Sequence, residues 1–417
     1  MTTRKPALRI GEPLWVQPGR QRRRQRYAAL RGRHDAEIAI VGGGFTGAVI
    51  AEAFANAGVS VALVEGQLVG RGSTAASSAL LLQEPDQGIA QLSERHGPRA
   101  ARRIWQLGRD AVSTLIDTLE RLDIACDLER RDAIFVAIGD ERARQLDVEL
   151  RRREHAGFHA ERLSAARVTA LTGLTSPPVM IGARTSGNAQ LDPCKATIGL
   201  LATAAANGVQ IFERSPVSRI ERYRLGVRLH TTHGRLEARR IIIATGYATD
   251  RFRPLVGRFR MFRTYVLATA RLSAHQRRAI GFGDVMMWDT ERPYHYVRWT
   301  KDRRLLLGGG DRRVRPGQRR SVEFKQATTA LREDFESMLP ALRDADIEHA
   351  WEGLFALTPD SLPYIGPHRR YPRHLFALGY GGNGMAYAPL AARILLEQHR
   401  GIQSYDHELF AFGRSRT

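Results

Sequence analysis

Cysteine is almost absent from this chain. Only Cys126 and Cys194 occur in 417 residues, with no CxxC pair and no histidine cluster at ligand spacing beside them. A disulfide framework and a zinc site are therefore not expected, and a reducing cytoplasm fits. Long apolar runs are also missing: none approaches the roughly 18 residues that a membrane-spanning helix needs. Arg22, Arg23 and Arg24 have no apolar stretch behind them, so neither a secretory nor a twin-arginine signal is read there. Acidic residues are scarce relative to basic ones: 43 Asp and Glu stand against 64 Lys and Arg, a formal charge of +21 that is almost all arginine. Such a field attracts polyanions, acidic membranes or anionic substrates. The basic residues are scattered except over 19–33, and no nucleic-acid motif accompanies them, so nucleic acid is not an expected partner.

What is present reads as an ordinary globular chain, 43% hydrophobic and 26% charged, long enough for two compact units. After a basic arm over 1–35, "EIAIV" (37–41) is a buried strand. "TGAVIAEAFANAG" (46–58) suits a helix closed by Gly58, and "VSVALVE" (59–65) a second buried strand. Residues 98–122 carry Ile104, Leu107, Ala111, Leu115 and Leu119 on one helical face. A helix opens at Pro193, and "RIIIATGYA" (240–248) is another apolar strand. From 259 to 311 the pattern alternates and turns aromatic, as antiparallel strands with one wet face do. A helix follows at about 320–338, then a strand, a Gly turn and a helix over 374–398.

The stretch "AIVGGGFTG" (39–47) lies between the first strand and the first helix. In that setting Gly42 permits the tight turn, Gly44 lets backbone approach a pyrophosphate, and Gly47 lets helix pack on strand. The helix N-terminus offers free N–H groups to a diphosphate. Glu65 ends the second strand about 20 residues on, where a carboxylate accepts from a ribose hydroxyl and repels a 2′-phosphate. A dinucleotide is thus expected, and NADP is not. The strand ending Ala244, Thr245, Gly246 comes some 200 residues after the first, which implies a sheet revisited after an excursion.

These stretches, with "GRGSTAASS" (70–78), "LDPCKATIGLLATAAANGVQIFERSPV" (191–217), "YHYVRWTKDRRLLLGGGDR", "LTPDSLPYIG" (357–366) and "LGYGGNGMAYAPLAARIL", resemble the FAD-dependent oxidoreductases of the D-amino acid oxidase, glycine oxidase and sarcosine oxidase type. The gamma-glutamylputrescine oxidase branch is the nearest in pattern. The resemblance implies an α/β chain: a discontinuous Rossmann-like FAD-binding domain (36–97, 178–255, 350–417) and an α+β substrate domain with a mixed or antiparallel sheet (98–177, 256–349). It adds Phe45, Thr46, Gly66 and Arg71 to the cofactor contacts. Gly72, Ser73, Thr74 and Val217 join them, as do Ala244, Thr245 and Gly246. Gly353, Leu354 and Phe355 stand where a relative would tether flavin through cysteine, and Ala76 where another would use histidine, so noncovalent FAD is expected.

"GYGGNG" (379–384) is a second literal GxGxxG, but only a short tail follows its helix. The resemblance places this turn beside the flavin pyrimidine, with Gly382, Asn383, Gly384 and Met385 as contacts, where helix N–H groups would steady the charge of reduced flavin. Phe355 occupies the position at which glycine and D-amino acid oxidases hold substrate carboxylate with arginine, which favours an amine or a differently held amino acid. Tyr265, His295, Tyr296 and Arg298 lie on strands expected to floor the cavity: Tyr265 and His295 to orient the amine, Arg298 to bind an anionic group. Glu84 and Asp86 are further candidates for holding a substrate ammonium. The expected reaction is C–N oxidation of a small amine or amino acid, with oxygen or a quinone as electron acceptor. The alternatives are a flavin oxidase of a modified tRNA base, motivated by the charge, and a regulatory protein that keeps FAD without turnover.

Overall fold

The computed structural model describes residues 9–16, 26–315, 317 and 319–414. Arg22, Arg23 and Arg24 of the basic cluster lie outside them. Two sheets organise the chain. The first is built on the strand Gly32–Val41, which pairs in parallel with Val61–Val64 on one side and with Gly234–Gly246 on the other. Gln210–Phe212 extends it beyond Val61–Val64, and Tyr371–Leu378 beyond Gly234–Gly246, both parallel. The hydrogen-bonded runs Ile38–Ile40 and Ile241–Ile243 are almost fully apolar because a parallel strand is covered on both faces. Helices Phe45–Asn56, Pro193–Ala206 and Ala388–His399 cover one face; an antiparallel hairpin (Arg219–Tyr223 with Gly226–His230), Phe252, Leu255 and Phe412 cover the other.

Among the described residues, the second sheet has nine strands and one parallel pair, Met286–Asp289 beside Glu129–Ile138. Its centre runs Ile347–Leu357, Arg260–Thr269, Leu305–Arg313 and His295–Trp299. One face packs on helix Arg320–Met338 through Tyr265, Leu267, Val297, Leu307, Leu331 and Phe335. The opposite face carries Val266, Tyr296, Leu306 and Trp351 against residues 75–76 of the first unit.

The domain boundaries that the resemblance implies shift in several places. Helix Pro98–Arg121, expected with the substrate unit, buries Ile104, Leu107, Leu115 and Leu119 in the core of the first sheet. Strands Val179–Gln190 and Ile347–Leu357 extend past the borders at 178 and 350 into the second sheet. An apolar strand shows which faces it buries and not which sheet receives its hydrogen bonds, so the sequence did not separate these cases. Nor is residues 1–35 a free arm where it is described. Leu14, Trp15 and Val16 are buried, Gly11 bridges to Trp351, and Tyr27 and Leu30 are in the core. Among the described residues, no helix is long and apolar enough to cross a membrane, and no group of three or more His, Cys, Asp or Glu is arranged to hold a metal ion.

At the start of the first helix, a Cβ added to Gly47 would lie 1.9 Å from the carbonyl oxygen of Gly42. This contact fixes how closely helix and strand approach. Gly47→Ala is expected to cost about 1–3 kcal/mol, as overpacking does, read as a lowered urea midpoint.

Candidate functional site

The site forms where the two sheets face one another. Gly42, with φ +114°, turns the chain out of the first strand, and its N–H donates to the Val64 carbonyl (3.0 Å). Gly44 precedes the helix Phe45–Asn56, which therefore starts without a side-chain cap. The Phe45 N–H donates to Thr74 Oγ1 at 2.9 Å, so the segment after Gly70 is tied to this turn. Glu65 follows the second strand directly. Its Oε2 accepts from Gly43 N–H and its Oε1 from Gln67 N–H, both at 2.8 Å. Each oxygen thus keeps a lone pair for a further donor. At the end of strand Gly234–Gly246, Gly246 has φ +78° and a Cβ there would meet nothing within 4 Å; a Cβ on Gly72 would also meet nothing within 4 Å. Thr245 Oγ1 donates to the Tyr247 carbonyl at 2.9 Å, and the Ala244 carbonyl lies against Gly42. Gly66 and Val217 stand further along the same rim: a Cβ on Gly66 would lie 3.7 Å from Pro216, and the Val217 carbonyl accepts from Arg251 (3.0 Å).

Residues 70–78 cross from the first sheet to the second. Arg71 gives its carbonyl to Arg9, and Ser73 Oγ donates to the Leu354 carbonyl at 3.0 Å. The C-terminal turn departs from the sequence reading. The helix after this turn begins at Ala388, not at Gly384, and the Gly382 N–H donates to Asp86 Oδ2 at 2.9 Å. A helix N-terminus therefore does not sit at Gly382, because residues 381–387 form successive turns. Asn383 is buried with its amide donating to the Glu84 carbonyl, and Met385 Sδ accepts from Ser77 Oγ at 3.7 Å.

Strand parity decides which side chains face this cleft. Thr264 Oγ1 and Tyr296 Oη are 3.2 Å apart on the inner face. Phe262 and Phe355, cross-strand partners, stack with ring centroids 5.8 Å apart. Tyr265 and His295 are the odd neighbours and point outward. Tyr265 is completely buried towards helix Arg320–Met338, and burial with Glu323 and Glu352 nearby pushes its hydroxyl up to about 12. His295 contacts Phe335, its Nδ1 lies 2.8 Å from Asp289 Oδ2, and its Nε2 faces Asp334 at 3.5 Å. Arg298 is on the inner side but fully engaged. It donates to the carbonyls of Ser78 (2.6 Å), Leu191 (2.9 Å) and Trp299 (3.2 Å), and burial lowers its pKa to about 10. The three residues expected to handle substrate therefore do not line the cleft. A one-residue error of face exchanges every side chain of a strand. Glu84 is likewise committed, buried 2.9 Å from Arg153.

Two inner-face residues escaped the sequence reading. Tyr294 precedes its strand, with its ring 6.0 Å from that of Tyr296. Asp311 reaches the inner face through an irregularity: Arg263 pairs with Arg312 and Tyr265 with Gly309, leaving Gly310 and Asp311 opposite Thr264 alone. Gly310 has φ +66°, the left-handed conformation of a bulge glycine. The run "GGGD" was the available signal. Gly308 serves the same end, since a Cβ there would lie 2.1 Å from the Tyr296 ring.

Tyr294 Oη and Asp86 Oδ1 converge on Gly382, 3.3 and 3.4 Å from where its Cβ would be. Asp86 is accessible from the cleft yet surrounded by protein, and desolvation pushes its carboxyl up to about 6 against the Gly382 N–H. Desolvation raises Asp311 to about 6 also; Thr264 and Tyr294 beside it favour the ionised form and Asp86 opposes it. Aromatic walls and two carboxyls thus face the same space.

His295 yields a test of its outward placement. Burial lowers its pKa, but pairing with Asp289 and Asp334 outweighs this and the net shift is upward. A group raised on folding stabilises fully below its unfolded pKa, about 6.5, and loses that contribution as pH rises through the folded value. Urea midpoints of His295→Gln should therefore fall furthest below the parent at low pH and converge with it at high pH, with turnover intact.

Residues 37–398 match the family described as FAD dependent oxidoreductase. The chain is 27% identical over 369 residues to the gamma-glutamylputrescine oxidoreductase of Escherichia coli, covering 88% of this chain and 84% of that one. It is 25% identical over 368 residues to the probable oxidoreductase OrdL of Haemophilus influenzae, covering 87% and 82%. The fold is similar to that of glycine oxidase from Geobacillus kaustophilus, with a TM-score of 0.76 at 21% identity, over 92% of this chain and 99% of that one. With its glycine turn, the carboxylate of Glu65 beside it and its revisited sheet, the chain belongs to the family of FAD-dependent oxidoreductases.

Proposed function

We propose that this protein oxidises a C–N bond of a cationic amine held between Asp86, Asp311 and the aromatic residues of the inner sheet face. The carrying observation is the pair of carboxyls in the cleft, on a chain where Phe355 stands in place of a carboxylate-binding arginine. An ammonium is complementary to both features and a substrate carboxylate to neither. The name of the Escherichia coli relative, an oxidoreductase of an amine conjugate, supports the same class.

The turn 42–47, Glu65 and residues 71–74 fit a noncovalent FAD, with Thr245, Gly246, Gly384 and Met385 closing the site. The support is the uncapped helix start, the two spare lone pairs of Glu65 and the open backbone at Gly72 and Gly246. FAD supplies, when bound, the acceptor for the hydride. The chain's own part is to draw in the ammonium, to let it give up one proton to solvent so that the neutral amine is the species oxidised, to strip water with Phe262, Phe355, Tyr294 and Tyr296, and to hold the amine with its C–H bond directed at the cofactor. The imine is then hydrolysed by water. Oxygen or a quinone as acceptor, and a cytoplasmic location, belong to the same proposal; a chain of 417 residues with only two cysteines fits a reducing compartment.

The decisive experiment is a visible spectrum of the purified protein followed by anaerobic titration with amines and amino acids. Cationic amines should bleach the flavin band, and a panel without any reduction refutes the proposal. Asp86→Asn and Asp311→Asn should each raise KM by roughly tenfold or more, the scale of a lost charge-assisted hydrogen bond, with kcat changed less. Because both carboxyls are raised to about 6, binding of a permanently charged amine analogue should tighten as pH rises through that value, and either substitution should flatten the rise.

A further inference from the structure

Three consecutive carbonyls, those of Ala76, Ser77 and Ser78, accept from three side chains remote in sequence. Trp351 Nε1 donates to Ala76 at 3.1 Å, Trp15 Nε1 to Ser77 at 2.9 Å, and Arg298 Nε to Ser78 at 2.6 Å. All three side chains are buried, and the Arg298 guanidinium also lies over the Trp15 ring, 5.2 Å from its centroid. Immediately afterwards Ala79 adopts φ +55°, a left-handed conformation that a non-glycine residue keeps only when its surroundings enforce it.

The segment so held touches every part of the site. Thr74 receives the Phe45 N–H of the glycine turn, Ser73 binds the Leu354 carbonyl of the second sheet, and Ser77 reaches Met385 of the C-terminal turn. Trp15 belongs to a strap that crosses the second sheet: the Ile10 carbonyl accepts the Glu352 N–H at 3.1 Å, and Leu14, Trp15 and Val16 pack with Ala75, Ala76 and Trp351.

We propose that Trp15, Trp351 and Arg298 are positioning residues: a carbonyl clamp that presets residues 73–78 for FAD and fixes the cofactor's distance from the substrate face. This rests on the assignment of that segment to FAD above. Each donor removed leaves a buried carbonyl unsatisfied and lets the segment sample other conformations, so FAD must then supply its ordering. The clamp acts through the backbone it holds, and none of the three side chains is required to touch cofactor or substrate.

The test is FAD affinity of the full-length apoprotein, read by quenching of flavin fluorescence, for the parent, Trp15→Phe and Trp351→Phe. Phenylalanine keeps an aromatic ring but removes the N–H donor together with part of the indole volume, and the comparison of apo and loaded stability separates the packing loss from the loss of the clamp. Each substitution should weaken FAD binding about tenfold and shift the flavin absorption band of the reloaded protein. Should Trp15→Phe fail to fold, Arg298→Lys keeps the charge near the indole ring but cannot span the Ser78 and Leu191 carbonyls, and the same weakening is expected. If FAD affinity stays within twofold of the parent while apo and loaded forms lose equal thermal stability, the three residues merely support the fold and the proposal is overturned. A parent protein that binds no FAD would refute the cofactor assignment itself, and the clamp's purpose with it.

Discussion

The parallel pairing of Gly32–Val41 with Gly234–Gly246 is the constraint from which the rest follows. Two strands some 200 residues apart share a continuous register, from Gly32 opposite Gly234 to Val41 opposite Ile243. Closing so long a loop carries a large entropic cost, offset here by apolar side chains buried on both faces. The intervening chain must leave the first sheet and come back to it. That excursion supplies the strands Glu129–Ile138 and Val179–Gln190 of the second sheet. The return then sets the end of Gly234–Gly246 beside Gly42, where the two halves of the cleft meet.

The cofactor half of the site was legible because its chemistry is local. A glycine run between strand and helix specifies backbone conformations that few other residues permit: Gly42 turns with φ +114°, a Cβ on Gly47 would meet the Gly42 carbonyl, and Glu65 accepts from the Gly43 N–H. The helices at 98–121 and 320–338 were legible for the same reason, since 3.6-residue periodicity is a property of one segment. The substrate half was not. Which face Tyr265 or Tyr296 occupies depends on the neighbouring strand's register, and Asp311 turns inward only because Gly310 adds one residue to one strand. Arg298 shows a different failure. Its charge suggested an anionic ligand, whereas its donors serve backbone carbonyls left by a chain crossing between sheets.

Charge is distributed unevenly between surface and cleft. A chain with formal charge +21 concentrates two carboxyls where its sheets meet, with the exposed Arg292 near both. The surrounding positive field stabilises their ionised forms and desolvation opposes it, which keeps them titratable near neutral pH rather than fixed in either state.

The strap at Ile10–Val16 bears on where this protein begins as a functional object. The family pattern starts at residue 37, and a chain opened at Gly32 would hold every strand of both sheets. It would lack the indole that completes the row of donors on Ala76, Ser77 and Ser78, and it would leave Trp351 and Arg298 facing water on one side. The boundary drawn by sequence likeness is therefore narrower than the boundary drawn by packing, since Leu14, Trp15 and Val16 are buried with Ala75, Ala76 and Trp351.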